Sequence, residues 1–225
     1  MATATLGFGK TFDHAASAWA GDAAWSLESK PARSLSLEAF LVSTGLVALA
    51  EIGDKTQLLA LLLACRFRKP VPIVLGILVA TLANHAFAGA IGTWITTVLG
   101  PDLLRWILGA SFLAMAAWML VPDQIDDTAA ASTRFGVFGT TLIAFFLAEM
   151  GDKTQIATVA LAAQYASFWW VVAGTTLGMM IANVPVVFLG DRAAKKLPLK
   201  LVHGIAAAIF AALGLLVLFR ADRLI

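Results

Sequence analysis

The chain has 225 residues, of which 60% are hydrophobic and 13% charged, and its formal net charge is +2. A soluble domain carries about 25% charged residues, so this composition excludes disorder, a nucleic-acid arm and an ordinary soluble enzyme, and the small net charge predicts no polyanionic partner. The single cysteine, Cys65, excludes an intrachain disulfide and a thiolate cluster, and His14, His85 and His203 are too far apart in sequence for a local metal motif.

The leader, residues 1–36, differs in composition from the rest of the chain. It lacks the basic start and continuous apolar run of a signal peptide. Phe12, Ala15, Ala16, Trp19 and Ala23 fall at helical spacing, so the leader reads either as a short interfacial helix or as disorder. Six apolar segments come after it, at 37–64, 71–98, 103–121, 135–163, 168–190 and 200–220. A helix needs about 20 apolar residues to cross a bilayer, so the pattern predicts an all-α integral membrane protein with six transmembrane helices. Several segments have no polar face, which argues against a soluble helical core. Trp94, Trp106, Trp118, Trp169 and Trp170 fall near the segment ends, where amphipathic rings favour the membrane interface.

Basic residues set the expected orientation. The loops on one side hold Arg66, Arg68, Lys69, Arg134, Arg192, Lys195, Lys196 and Lys200. The side holding the N-terminus has Lys30, Arg33, Arg105, Arg220 and Arg223. This bias places both termini outside and the 122–134 loop in the cytoplasm, in a plasma (inner) membrane.

The segment Ala48–Ala64, ALAEIGDKTQLLALLLA, returns as Phe146–Ala162, FLAEMGDKTQIATVALA, with ten of seventeen positions identical and an offset of 98 between Glu51 and Glu149. The same offset relates the starts of the first and fourth segments. The chain is thus expected to be two three-helix repeats, 37–121 and 135–225, joined by an acidic loop at 122–134. Three is odd, so the second repeat enters the membrane from the opposite side. Inverted repeats in transporters place the binding site near the midplane at the repeat interface. A weaker echo aligns Leu82-Ala83-Asn84 with Ile181-Ala182-Asn183 at an offset of 99.

Glu51, Asp54 and Lys55 sit near the middle of the first segment, and Glu149, Asp152 and Lys153 near the middle of the fourth. Six such charges at helix centres cost about 15–20 kcal/mol before pairing. On a continuous helix of about 100° per residue, Glu51, Asp54 and Gln57 form one stripe. Lys55 is the i+4 neighbour of Glu51, so a Glu–Lys pair within each motif is the plain structural reading. Thr56 and Thr154 point away and are expected to bond to backbone or a neighbouring helix. Gly53 and Gly151 permit either close helix approach or local unwinding that frees carbonyls.

Face-to-face stripes would surround one space with four carboxylates, with Gln57, Gln155, Asn84 and Asn183 as neutral oxygen donors. All-oxygen sites suit Mg²⁺, Ca²⁺ or Mn²⁺. His85 is expected in a helix–helix hydrogen bond, and Met179 and Met180 in packing. Four acids and two lysines leave two negative charges, which one divalent cation or two protons would neutralise. Crowded carboxylates in low dielectric favour protonation, and a site that holds either M²⁺ or H⁺ suits an antiporter.

The doubled motif, Glu51-Ile52-Gly53-Asp54-Lys55-Thr56 and Glu149-Met150-Gly151-Asp152-Lys153-Thr154, resembles the E-x-G-D-[KR]-[TS] (GDT-type) family of small membrane cation exchangers. The likeness covers about residues 37–220, and Asp123, Asp126 and Asp127 resemble a short form of that family's acidic cytosolic loop. The resemblance implies exchange of Mn²⁺ or Ca²⁺ for protons, and it is the resemblance that favours manganese and export.

The expected function is a secondary transporter moving Mn²⁺ or Ca²⁺ out of the cytosol against protons. Glu51, Asp54, Glu149 and Asp152 take the cation, and Lys55 and Lys153 balance charge. No permanently bound cofactor and no nucleic-acid partner are expected; the partners are the cation, protons and the bilayer. An exporter of a small organic cation or amino acid, and a non-transporting assembly factor, are the alternatives. No H-E-x-x-H or G-x-S-x-G motif occurs, so no enzyme is expected.

Overall fold

The computed structural model describes residues 32–121, 135–189 and 199–219, all of them helical or in short connections. The eight helices among the described residues are α1 (Ala32–Glu51), α2 (Lys55–Phe67), α3 (Pro70–Val98), α4 (Pro101–Trp118), α5 (Gly136–Glu149), α6 (Lys153–Tyr165), α7 (Phe168–Leu189) and α8 (Leu199–Leu218). Proline stands at the first position of both α3 and α4, where its fixed φ and missing N–H suit a helix start. The expectations for the leader up to residue 31 and for the 122–134 loop lie outside the described residues.

The third, fifth and sixth expected segments correspond to α4, α7 and α8, and the second to α3. The first and fourth are not continuous helices: each is broken in its middle, at Ile52–Asp54 and at Met150–Asp152. α1 and α2 meet at 69°. The helix of the first segment also starts earlier than expected, at Ala32. Three helical stretches are long and apolar enough to cross a membrane, Pro70–Val98, Phe168–Leu189 and Lys200–Leu218, and the bent α1–α2 pair makes a fourth if taken as one span.

Every helix turns large apolar side chains outward, among them Leu41, Leu62, Phe87, Leu103, Leu147, Ile156, Phe188 and Leu201. The interior instead holds Ser43, Glu51, Asp54, Thr56, Thr81, Asn84, His85, Glu149, Asp152, Lys153 and Asn183. Such an exterior suits lipid, and the polar centre is kept away from it. Trp94, Trp106, Trp118, Trp169 and Trp170 are all exposed, as interfacial rings should be.

Packing interleaves the two halves. α3 lies against α5, α6 and α7, α2 against α7 and α5, and α4 against α8 and α6. The buried apolar side chains form two clusters. One joins Leu59, Leu63, Ile73, Ile77 and Phe145; the other joins Leu46, Phe112, Met115, Leu161 and Phe210.

The repeat is visible in the packing. The buried positions of α3 include Ile73, Gly76, Ile77, Ala80, Thr81, Asn84 and His85, and those of α7 include Val171, Gly174, Thr175, Gly178, Met179, Ala182 and Asn183, each shifted by 98. The close approaches repeat as well. A Cβ on Gly76 would lie 2.9 Å from Phe138 O, and one on Gly174 would lie 2.6 Å from Phe40 O. This register corrects the alignment of Asn84 with Asn183. Asn84 occupies the place of Ala182, and Asn183 that of His85, because helical burial fixes the match and a lone asparagine does not.

Candidate cation site

Both motifs fold in the same way. α1 ends on Glu51 and α5 on Glu149; the next helix begins after Asp54 or Asp152. Gly53 takes φ +83° and Gly151 φ +73°, a left-handed turn that favours glycine. Asp54 (φ −79°, ψ 168°) and Asp152 (φ −80°, ψ 167°) are the N-cap residues of α2 and α6, and neither carboxylate caps its own helix. The unwinding alternative for Gly53 and Gly151 is thus the one adopted.

Glutamine stitches each break. The N–H of Gly53 donates to Gln57 Oε1 at 2.9 Å, and that of Gly151 donates to Gln155 Oε1 at 2.6 Å. The amide N–H groups of Asp54 and Asp152 return to the carbonyls of Glu51 and Glu149 at 3.1 and 3.0 Å. Gln57 Nε2 also donates to Ala182 O at 3.0 Å, tying the first break to α7. The expected glutamine donors therefore spend Oε1 on the backbone and hold the breaks open.

The lysines do not pair within their own motifs. Lys55 Nζ lies 3.3 Å from Asp152 Oδ1, and Lys153 Nζ lies 3.9 Å from Asp54 Oδ1. This corrects the i+4 pairing with glutamate. The helix is broken between residues i and i+4, so the lysine begins a new helix and reaches the other half. Lys153 is buried, with 2% of its side chain exposed against 32% for Lys55, and it also donates to Val121 O at 3.4 Å.

Glu51 and Glu149 end differently. Glu149 accepts from Thr81 Oγ1 at 2.7 Å and from Asn84 Nδ2 at 3.1 Å. Asn84 also donates to Phe146 O at 3.0 Å. Glu51 is fully buried, and neither of its oxygens has a hydrogen-bond partner among the described residues. Asn183 lies beside it but spends its N–H₂ on Met179, at 3.1 Å from the carbonyl and 2.9 Å from the sulfur. Three of the carboxylates lie within electrostatic reach of one another, Glu51 of Asp152 and Glu149, and Glu149 of Asp152, while Asp54 meets Lys153. Among the described residues no three acidic, His or Cys side chains close on one point tightly enough to hold a metal ion. The expected ring of four ligands is thus a cluster clamped by lysines.

The helix ends suit a cation exchanged against positive charge. The last carbonyls of α1 and α5 present their negative ends at the breaks, and the N-termini of α2 and α6 favour Asp54 and Asp152 as anions.

The family profile described as "Divalent cation/proton antiporter GDT1" matches residues 39–127 and again 137–224. The chain belongs to this family of divalent cation/proton antiporters. The two matches begin 98 residues apart, the offset that relates the two motifs. The family moves cations across membranes and is not one of enzymes. A Vibrio cholerae protein named "Putative manganese exporter" is 55% identical over 179 residues, covering 79% of this chain and 89% of its own. A GDT1-like protein of Synechocystis is 31% identical over 195 residues, covering 77% of this chain and 93% of its own. The Saccharomyces cerevisiae divalent cation/proton antiporter GDT1 is 24% identical over 262 residues, with 92% of each chain covered. No solved structure matches.

Three neighbours of the motifs go beyond the sequence-based expectations. Thr81 lies one turn before Asn84, and that i−3 spacing on one face is the signal that points to it. His203 Nε2 lies 2.7 Å from Ile52 O, the carbonyl freed by the first break; nothing local in the sequence joins residues 151 apart. Met179 is buried against Asn183 where packing alone was expected. Two expectations for polar groups fail. Thr56 Oγ1 and Thr154 Oγ1 are buried without partners among the described residues, and both His85 ring nitrogens are likewise unbonded. Thr56 and Thr154 begin short helices, with no earlier turn of their own helix to offer a carbonyl.

Proposed function

We propose that this antiporter exports Mn²⁺, with Ca²⁺ as a second substrate, from the cytosol in exchange for protons, through Glu51, Asp54, Glu149 and Asp152. The observation that carries the reading is the exchange of partners between the motifs. Each lysine neutralises a buried aspartate of the other half, Lys153 from the interior and Lys55 from a partly open position. A divalent cation can replace those ammonium groups, and so can protons. Asp54 and Asp152 release their lysines as the cation arrives, and Glu51 and Glu149 supply the remaining charge. Gln57 and Gln155 keep the breaks shaped, and Asn84 orients Glu149. The choice of manganese is supported by the name of the Vibrio cholerae relative.

The reading includes six spans. The bent pair α1–α2 counts as one and the broken pair α5–α6 as another, with α3, α4, α7 and α8 as the others. Two inverted repeats, 37–121 and 135–225, then flank the acidic loop 122–134. The basic residues favour a plasma membrane location with that loop cytoplasmic and the termini outside; side-specific labelling of introduced cysteines, after replacement of Cys65, tests this orientation.

Flux in proteoliposomes tests the function. Wild-type protein should move Mn²⁺ in response to a pH gradient. Glu51→Gln and Glu149→Gln should each abolish that flux while the protein still inserts and runs as a single species. Wild-type flux in either variant would reject a shared carboxylate site.

A further inference from the structure

The two halves of the acid cluster are alike in backbone and unlike in what surrounds the glutamate. Thr81 and Asn84 donate to Glu149. At the offset of 98, their counterparts beside Glu51 are Met179 and Ala182, neither of which carries a side-chain donor. Among the described residues Glu51, at 0% exposure, has the side chain of Asn183 beside it but no donor in hydrogen-bond geometry, and Asn183, also at 0%, keeps Oδ1 unpartnered. An unsatisfied buried carboxylate and carbonyl oxygen are costly unless a ligand completes them. Met179 Sδ, 2.9 Å from the same Asn183 amide, adds a soft donor to an otherwise hard set.

Resting on the carboxylate site proposed above, we propose that the cation is seated on the Glu51 side, by Glu51, Asn183 Oδ1 and Met179 Sδ, and that Met179 determines the preference for manganese over calcium. Glu149, held by two donors, is the fixed partner across the cluster. Ca²⁺ takes oxygen ligands only; Mn²⁺ also prefers oxygen but, as a transition-metal ion, is the softer of the two, so one thioether in an oxygen set costs it less. A sulfur in the seat therefore handicaps Ca²⁺ and leaves Mn²⁺ favoured. Threonine at 179 would make the seat resemble the surroundings of Glu149 and remove that discrimination.

The test compares Mn²⁺ and Ca²⁺ flux in proteoliposomes for wild type, Met179→Leu and Met179→Thr, with Cd²⁺ as a thiophilic competitor. Leucine keeps the volume and loses only the sulfur. The Mn²⁺/Ca²⁺ ratio is internal to each preparation, so partial loss of folded protein leaves it unchanged. Both variants should lower the ratio of kcat/KM values by about tenfold, the size of effect common for groups that tune a metal site. Cd²⁺ should inhibit Mn²⁺ flux less in both. An unchanged ratio in both variants overturns the role of Met179. If Glu51→Gln abolishes flux while the ratio stays unchanged, only this inference falls; if Glu51→Gln transports as wild type does, the carboxylate site falls with it.

Discussion

At the scale of single residues, the exchange of lysine partners makes the two ion pairs unequal. Asp54 and Lys153 are each 2% exposed, whereas Lys55 is 32% exposed against an Asp152 that is itself 2% exposed, so the inequality lies in the lysines. Removing one member of a buried pair leaves an uncompensated charge and costs about 3–5 kcal/mol; where the lysine removed was open, water can enter the space it leaves and offset part of that cost for the aspartate. Lys153→Ala should therefore destabilise the folded protein by about 3 kcal/mol or more, and Lys55→Ala by clearly less, in thermal unfolding of the detergent-solubilised protein. The double variant Lys153→Ala/Asp54→Asn should recover part of the loss, since it removes the stranded carboxylate together with its partner. Equal destabilisation by the two lysine variants would show that the pairing does not differ between the halves. On the proposed carboxylate site the same inequality bears on mechanism, because the open lysine would be the easier one for an arriving cation to displace.

At the scale of helices, the break is what lets a lysine leave its own glutamate and reach the other half. Each break depends on one glycine with positive φ and one glutamine that accepts its N–H. A Cβ on Gly151 would meet nothing within 4 Å, so replacing it strains only the backbone. Gly151→Ala should thus destabilise by about 1–2 kcal/mol and lower flux, whereas Ala at a helical glycine with open surroundings, Gly204, should be neutral or stabilising. Denaturation in detergent and Mn²⁺ flux measure the two effects, and wild-type flux in Gly151→Ala would show that the left-handed turn is not needed. The helices themselves were legible in the sequence: the apolar runs behind α3, α4, α7 and α8 carry few internal charges, and their ends lie within a few residues of those expected. The motifs were legible as buried acids and illegible as a shape. An E-x-G-D run is compatible with a helix stripe at i, i+3; the glycine turn and the glutamine bond shape each break locally, and the cross-pairs to the other half, with the bond from Gln57 to Ala182 at the first break, hold it there. Those contacts join residues about a hundred positions apart, where no local pattern reaches. The asparagine alignment failed for a related reason: the register of α3 against α7 is set by which faces are buried, and one matching residue type misplaced it by one position.

At the scale of the whole molecule, charge conservation limits how cation and proton flows are coupled. Glu51, Asp54, Glu149 and Asp152 bring four negative charges and Lys55 and Lys153 two positive ones, so the cluster as paired carries two negative charges. If the lysines stay with the cluster throughout transport, one divalent cation or two protons restores neutrality, and one-for-two exchange moves no net charge. Protons and metal then compete for the same carboxylates, so apparent Mn²⁺ affinity must fall as pH falls. Mn²⁺ flux into vesicles should follow the pH gradient and respond little to a potassium–valinomycin potential imposed at constant pH. Lys55 is the point at which this balance can change. It is the open member of its pair, and if it swings out of the cluster when the cation arrives, the site carries one more negative charge and a third proton is needed. Transport would then move charge and respond to voltage. Lys55→Gln fixes that condition permanently, so it should convert a voltage-insensitive carrier into a voltage-sensitive one, while Lys153→Gln, acting on the buried pair, should mainly lower the amount of folded protein. A strong voltage response of the wild type at constant pH would reject two-for-one exchange, and Mn²⁺ binding that does not change with pH would reject proton coupling through these acids.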